Sequence, residues 1–191
     1  MVAEVADFEV TDEQLAAHAA REGSNGPAFT ALLERHRRRI WRICYRLMGN
    51  EEDANDAAQD VFVALFLQRE KFEGRSKYTT WMQGIAVRTC LAMRRSRGRR
   101  KRWEAAAEAE KQHHTNNSET NQSNVALDLM QMLETLDEED RALIIMKYAE
   151  DYSYEELSSI FGRSVSFCKM RISRARDALR EHFPQETAME S

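Results

Sequence analysis

The sequence predicts an all-α protein made of two small helical domains joined by a flexible linker, the C-terminal domain being a helix-turn-helix. Three observations carry that prediction. Sustained period-two alternation is absent along the 191 residues, so strands have no signal. Helix punctuation recurs instead: Thr11 with Gln14, and Ser153 with Glu156, stand at capping-box spacing, and the only prolines are Pro27 and Pro184. The segment "EAAAEAEKQHHTNNSETNQSN", Glu104 to Asn124, starts as a helix extension and decays into polar residues with almost nothing to bury. The expected organisation is an N-terminal arm or extra helix over 1–25, a first domain over 26–103, a linker over 104–124, a second domain over 125–184 and a tail over 185–191.

Taken in order, "FTALLERHRRRIWRICYRLMGN" is an amphipathic helix with Phe29, Leu32, Leu33, Ile40, Ile43, Cys44 and Leu47 toward the core. Gly49 stops it, and Asn50 caps the next helix, whose first turn carries Glu51, Glu52 and Asp53. In that helix Asp53, Asp56 and Asp60 fall three and four apart, an acidic ridge, while Ala54, Ala58, Val61 and Leu65 turn inward. The loop Phe72 to Lys77 has Gly74 for freedom, and Ser76, Thr79 or Thr80 is placed to cap the helix after it. Tyr78 and Trp81 then offer aromatic surfaces, Trp81 partly buried. Further on, Asp137 is expected to cap "EEDRALIIMKYAE".

The last forty residues make the sharpest pattern. Ser153 to Phe161 is a short amphipathic helix broken by Gly162. A second helix comes next, with Val165, Cys168, Ile172, Ala175 and Leu179 as its buried stripe. Its other faces carry Ser166, Phe167, Lys169, Met170, Arg171 and Arg174. Two short helices on a tight glycine turn, the second basic, describe a helix-turn-helix whose second helix enters the major groove.

Charge supports nucleic acid as the partner. The net charge of −4 hides a segregation: eleven basic residues between Lys71 and Arg102 face one acid, Glu73. Seven of the nine residues from Arg94 to Arg102 are basic. Ten acids lie between Asp128 and Glu156. Local fields, not net charge, attract phosphates. The composition argues against other classes. No apolar run reaches the length of a membrane span, and "MVAEVADFEV" lacks the features of a secretory signal, so a cytoplasmic protein is expected, with no membrane insertion. Cys44, Cys90 and Cys168 have neither zinc nor redox spacing and read as buried thiols. His113 and His114 read as solvated linker residues. No nucleophile–base pair, phosphate-binding glycine loop or metal cluster is expected, hence no catalysis and no cofactor.

"LETLDEEDRALIIMKYAEDYSYEELSSIFGRSVSFCKMRISRARDALRE" resembles the C-terminal region of extracytoplasmic-function (ECF) sigma factors, most strongly in "SYEEL" and "RISRARDAL". It departs at Phe167 and Cys168, where that family usually has Thr and Val. "GNEEDANDAAQDVFVALF" is similar to their polymerase-binding helix, and "FEGRSKYTTWMQGIAVRTCLAMRRSRGRR" to their promoter-melting region, with Arg88 and Ala92 where Asn and Asp are common. The resemblance implies an alternative sigma factor that contacts the β′ clamp and β flap of core RNA polymerase, opens promoter DNA, and is held by an anti-sigma factor, often membrane-anchored. It implies polymerase contacts at Asp53, Asp56, Gln59, Asp60 and Phe62. It implies downstream-promoter contacts at Lys77, Tyr78, Trp81, Arg88, Arg94 and Arg95, where a stacking contact offsets unpairing and arginines hold the strand's backbone. Upstream-promoter contacts are implied at Arg163, Ser166, Phe167, Lys169, Met170, Arg171 and Arg174. The alternative is a dimeric helix-turn-helix regulator acting without replacing sigma. It explains the C-terminal motif but not the two upstream blocks in their order.

Overall fold

The computed structural model describes residues 10–22, 26–109 and 131–182, and all regular structure among them is helical. Seven longer helices succeed one another: α1 (Asp12–Ala19), α2 (Pro27–Met48), α3 (Glu51–Gln68), α4 (Tyr78–Ala109), α5 (Glu138–Tyr148), α6 (Tyr154–Phe161) and α7 (Val165–His182). A 3-10 turn, Arg69–Lys71, comes after α3, and residues 131–134 form one more helical turn.

The punctuation behaves as local chemistry dictates. Thr11 and Gln14 close a capping box on α1, so the N-terminal stretch contains a packed helix. Pro27 opens α2 at a position where no backbone donor is required, and Gly49 ends it in the left-handed region at φ 87°. Asn50 then accepts from the Asp53 backbone N–H at 2.9 Å to start α3. Ser153 and Glu156 form the second capping box, and Gly162 at φ 64° closes α6.

Asp137 departs from expectation. It sits at the start of α5, but its carboxylate makes no cap bond there. It accepts instead from Arg171 at 2.7 Å, because a guanidinium across the unit outcompetes a neutral backbone donor.

The helices form two units. In the first, α2, α3 and α4 pack pairwise and α1 lies on α2. Its core takes Phe29, Leu32, Ile40, Ile43, Cys44 and Leu47 from α2, and Ala54, Ala58, Val61 and Leu65 from α3. Met82, Ile85, Ala86 and Cys90 of α4 complete it. Leu33, expected in that core, is half-buried beside a surface groove. In the second unit α5 and α6 pack on α7 through Leu143, Met146, Leu157, Ile160, Cys168, Ile172 and Ala175. All three cysteines are free and buried, and Cys44 Sγ lies 3.7 Å from Cys90 Sγ. That contact, and then burial, push the Cys44 thiol far up, so it stays protonated.

Helix α4 continues past Trp103, which is 79% exposed, to Ala109, the helix extension expected from Glu104; the remainder of the expected linker, including His113 and His114, lies outside the described residues. One feature lies beyond the sequence reading: the two units pack against one another, α4 against α5 and α6, and α2 against α5.

Candidate nucleic-acid interface

The loop before α4 forms an aromatic nest. Phe72, Tyr78 and Trp81 stand with ring centroids 5.3 to 5.6 Å apart, and His36 of α2 adds a fourth ring 6.0 Å from Tyr78. Gly74 turns the loop at φ 70°. A pocket of about 270 Å³ opens between Lys71, Phe72, Glu73, Arg75, Ser76 and Trp81. Trp81 and Phe72, both half-buried, are the rings that line it. Tyr78 lies beneath, 3% exposed, and burial with the nearby Asp12 carboxylate pushes its phenol up, so it stays neutral. In this arrangement Tyr78 supports the pocket from below and presents no open ring face. Its backbone N–H donates to Glu13 of α1 at 3.1 Å, a helix-start contact that the sequence reading missed because sixty-five residues separate the partners.

Along α4 the arginines divide. Arg88 is exposed and, with Asp60, Thr89, Ala92, Met93 and Ser96, borders a second cavity of about 490 Å³. Arg95 is exposed and donates to the Leu91 carbonyl at 3.2 Å. Arg94 is paired across the unit boundary with Glu138 and also donates to the Leu47 carbonyl at 3.3 Å. Arg97 turns back onto α3, paired with Asp53 and standing 3.7 Å from Asp56.

That last contact divides the acidic ridge. Asp53 is half-buried and neutralised by Arg97, whereas Asp56, Gln59 and Asp60 are exposed. Phe62, half-buried, lines a groove of about 600 Å³ with Leu33, Glu34, Arg37, Arg38, Trp41 and Ala58. Trp41 is fixed there by stacking on Tyr45 and by donating to Asn55 at 2.7 Å. The α2 side of this groove escaped the sequence reading, since a tryptophan and two arginines on a helix look like an ordinary solvated face.

Helix α7 starts at Ser164, whose hydroxyl accepts from the Phe167 N–H at 3.2 Å. Ser166, Lys169, Met170 and Arg174 are exposed along it. Phe167 is half-buried, between the guanidinium groups of Arg163 at 5.3 Å and Arg171 at 5.8 Å from its ring centre. Arg163 stands 3.4 Å from Glu139. Arg171 is gripped by Asp137 at 2.7 Å and by Asp140 at 2.5 Å. Burial raises the Asp140 carboxyl, an effect that Arg171 partly offsets. Lys169 and Arg174, exposed on α7, stay outside these ion pairs, as does the exposed Arg176 farther along.

Residues 32–100 match the family described as Sigma-70 region 2, and residues 126–179 match Sigma-70, region 4. The ECF RNA polymerase sigma factor SigW of Bacillus subtilis is 30% identical over 166 residues, which span 81% of this chain and 88% of that protein. The chain belongs to the ECF sigma factors. SigE of Mycolicibacterium smegmatis is also 30% identical, over 85% of this chain but 64% of its own length. Among solved structures, CnrH in complex with the cytosolic domain of CnrY superposes with a TM-score of 0.61 at 25% identity, covering 92% of this chain and 99% of that one. RpoE of Bartonella quintana, solved with the anti-sigma factor NepR, shares the fold at a TM-score of 0.57 and 24% identity, covering 83% and 98%. As a sigma factor the chain is a transcription initiation factor and not an enzyme. Among the described residues, no helix is long and apolar enough to cross a membrane.

Proposed function

We propose that this sigma factor docks on core RNA polymerase through the exposed Asp56, Gln59 and Asp60 edge of α3 and the adjoining Phe62 groove, meeting the β′ clamp, while its C-terminal unit meets the β flap. Helix α7 then reads the upstream promoter element as duplex. The nest at Phe72 to Trp81 receives an unstacked base of the downstream element. Arg88, Arg95 and the basic run beyond them hold the separated strand. The observation that carries this reading is the pocket at Trp81, an aromatic wall rimmed by Lys71 and Arg75. Such a site supplies both a stacking face, worth on the order of 1–3 kcal/mol per base, and charge for the adjoining phosphates.

The solved relatives CnrH and RpoE are each bound to another protein, RpoE to an anti-sigma factor. By analogy an anti-sigma partner, membrane-anchored in the usual arrangement, holds this chain in the cytoplasm until it is released. Run-off transcription with core polymerase over a promoter library tests the reading. Defined initiation sites should appear only when the chain is added. Binding to palindromic duplex DNA as a dimer, with no effect on initiation, would instead establish the helix-turn-helix regulator.

A further inference from the structure

One part of the boundary between the two units is polar and carries a row of arginines. Arg35, Arg39, Arg42 and Arg46 recur at steps of four, three and four along α2, a single stripe of that helix. Arg35 is engaged by Asp12 of α1 at 2.7 Å. The other three reach the turn between α5 and α6. Arg42 donates from Nε and Nη2 to the two carboxylate oxygens of Glu150, at 3.2 and 3.1 Å. Arg46 Nε stands 2.8 Å from the same carboxylate, and its Nη1 donates to the Ala149 carbonyl. Arg39 donates to the Tyr152 hydroxyl at 3.2 Å.

The turn is shaped for this contact. It passes through Asp151 at φ 56°, the left-handed region that few non-glycine residues adopt, and so presents Glu150 and Tyr152 together. The Glu150 side chain is only 5% exposed. The Gln83 amide of α4, oriented to suit its neighbours, accepts from Arg39 Nε at 2.9 Å and donates to the Tyr152 hydroxyl at 3.2 Å. Gln83 thus ties Arg39 and Tyr152 to α4, five residues before Arg88.

One carboxylate held by two guanidinium groups, one of them bidentate, reproduces the way arginines hold a phosphate. We propose that Arg39, Arg42 and Arg46 are a phosphate-binding stripe for a nucleic-acid strand, and that Glu150 is its internal occupant in the closed chain. The C-terminal unit and DNA then compete for the same face of the N-terminal unit. The proposal rests on the reading of the chain as a promoter-opening factor. When the units part, Arg42 and Arg46 lose these partners and Arg39 loses the Tyr152 hydroxyl while keeping the Gln83 amide.

The test uses the full-length chain and a fluorescein-labelled single-stranded oligodeoxynucleotide, read by anisotropy across salt concentrations. Glu150→Gln keeps the side-chain shape and removes the charge. It should open the chain in solution scattering and bind the strand more tightly. Three added phosphate contacts, at about 0.7 each, should steepen the logarithmic salt dependence by about 2; between about 50 and 200 mM salt that is a loss about twentyfold greater than for the wild-type chain. Adding Arg42→Ala and Arg46→Ala to Glu150→Gln should leave the chain open and abolish the gain. Glu150→Asp, which withdraws the carboxylate by one methylene, serves if Glu150→Gln does not fold, and should act in the same direction. Unchanged affinity in the Glu150 variants, or equal gain after the arginines are removed, overturns the stripe. Promoter-specific run-off by the wild-type chain, measured in parallel, keeps that failure separate from failure of the sigma reading itself.

Discussion

Gly84 is a point in α4 where the C-terminal unit approaches closely, so Gly84→Ala perturbs closure with little else. A Cβ there would stand 3.0 Å from the Ile160 carbonyl oxygen and 3.0 Å from Arg88 Nη1. The guanidinium can swing aside. The carbonyl belongs to the backbone of α6 and retreats only if α6 retreats with it. Overpacking of this kind costs about 1–3 kcal/mol, and only the closed arrangement bears it. Alanine is also favoured over glycine inside a helix by about 0.5–1 kcal/mol, but that gain is present whether the units are together or apart. It cancels from the closing equilibrium and appears only in unfolding. Closure should therefore weaken by about 5- to 150-fold in population, at 1.4 kcal/mol per factor of ten, without loss of helix stability. Donor and acceptor dyes on α3 and α7 of the full chain, read by single-molecule energy transfer, would show a larger low-transfer population. A distance distribution identical to the wild type's would refute the reasoning, as would opening accompanied by a lower melting temperature of α4.

Four further outcomes are expected. Asp56→Lys with Asp60→Lys should weaken association with core polymerase while circular dichroism stays unchanged, because both carboxylates are exposed on α3; undiminished affinity would remove the assignment. Gly162→Ala should destabilise the C-terminal unit by about 1–2 kcal/mol in chemical denaturation, since its φ of 64° strains an L side chain although no atom lies within 4 Å of the added carbon. Ser153→Ala should cost about 0.5–2 kcal/mol. The Ser153 backbone N–H and then its hydroxyl hold the Glu156 carboxyl below its ordinary 4.5. The variant keeps the first bond, so only the hydroxyl's share is removed, a share present above that pH and lost as pH falls through the lowered value. Arg171→Ala should raise the Asp140 carboxyl further, because the guanidinium now opposes the effect of burial. A carboxyl raised on folding binds its proton more tightly in the native state, so denaturation midpoints of this variant should fall as pH rises from 3.8 through the raised value, over a wider interval than in the wild type.

Local chemistry explains which parts of the molecule were legible from sequence. The two capping boxes, the Gly49–Asn50 junction and the Gly162 turn involve partners within five residues, so spacing alone reveals them. The apolar stripes of α2, α3 and α7 were readable for the same reason, since one helix period places them. Charge was harder to interpret. Asp53 and Asp56 have the same helical spacing from Asp60 whether or not Arg97 turns back on them, and nothing nearby in sequence signals that contact. Arg42 meets Glu150 across 108 residues, and before folding both look like members of solvated faces. Tyr78 and Trp81 sit three apart in sequence, yet α1 and α2 cover one ring and leave the other at the pocket. That difference is set by packing between helices, which the periodicity of α4 does not contain.

The most direct measurement is a permanganate footprint of opened thymines in the complete complex of core polymerase, this chain and promoter DNA, on a fully paired template and on one mismatched across the downstream element. Trp81→Ala with Lys77→Ala should lose opened thymines on the paired template and recover them on the mismatched one, because premelting removes the cost of unpairing. Lys169→Ala with Arg174→Ala should be impaired on both templates alike, since duplex recognition by α7 precedes opening. Normal opening of paired DNA by the Trp81 and Lys77 variant, or equal rescue of both pairs by the mismatch, would contradict the assignment of strand opening to the N-terminal unit and duplex reading to the C-terminal one.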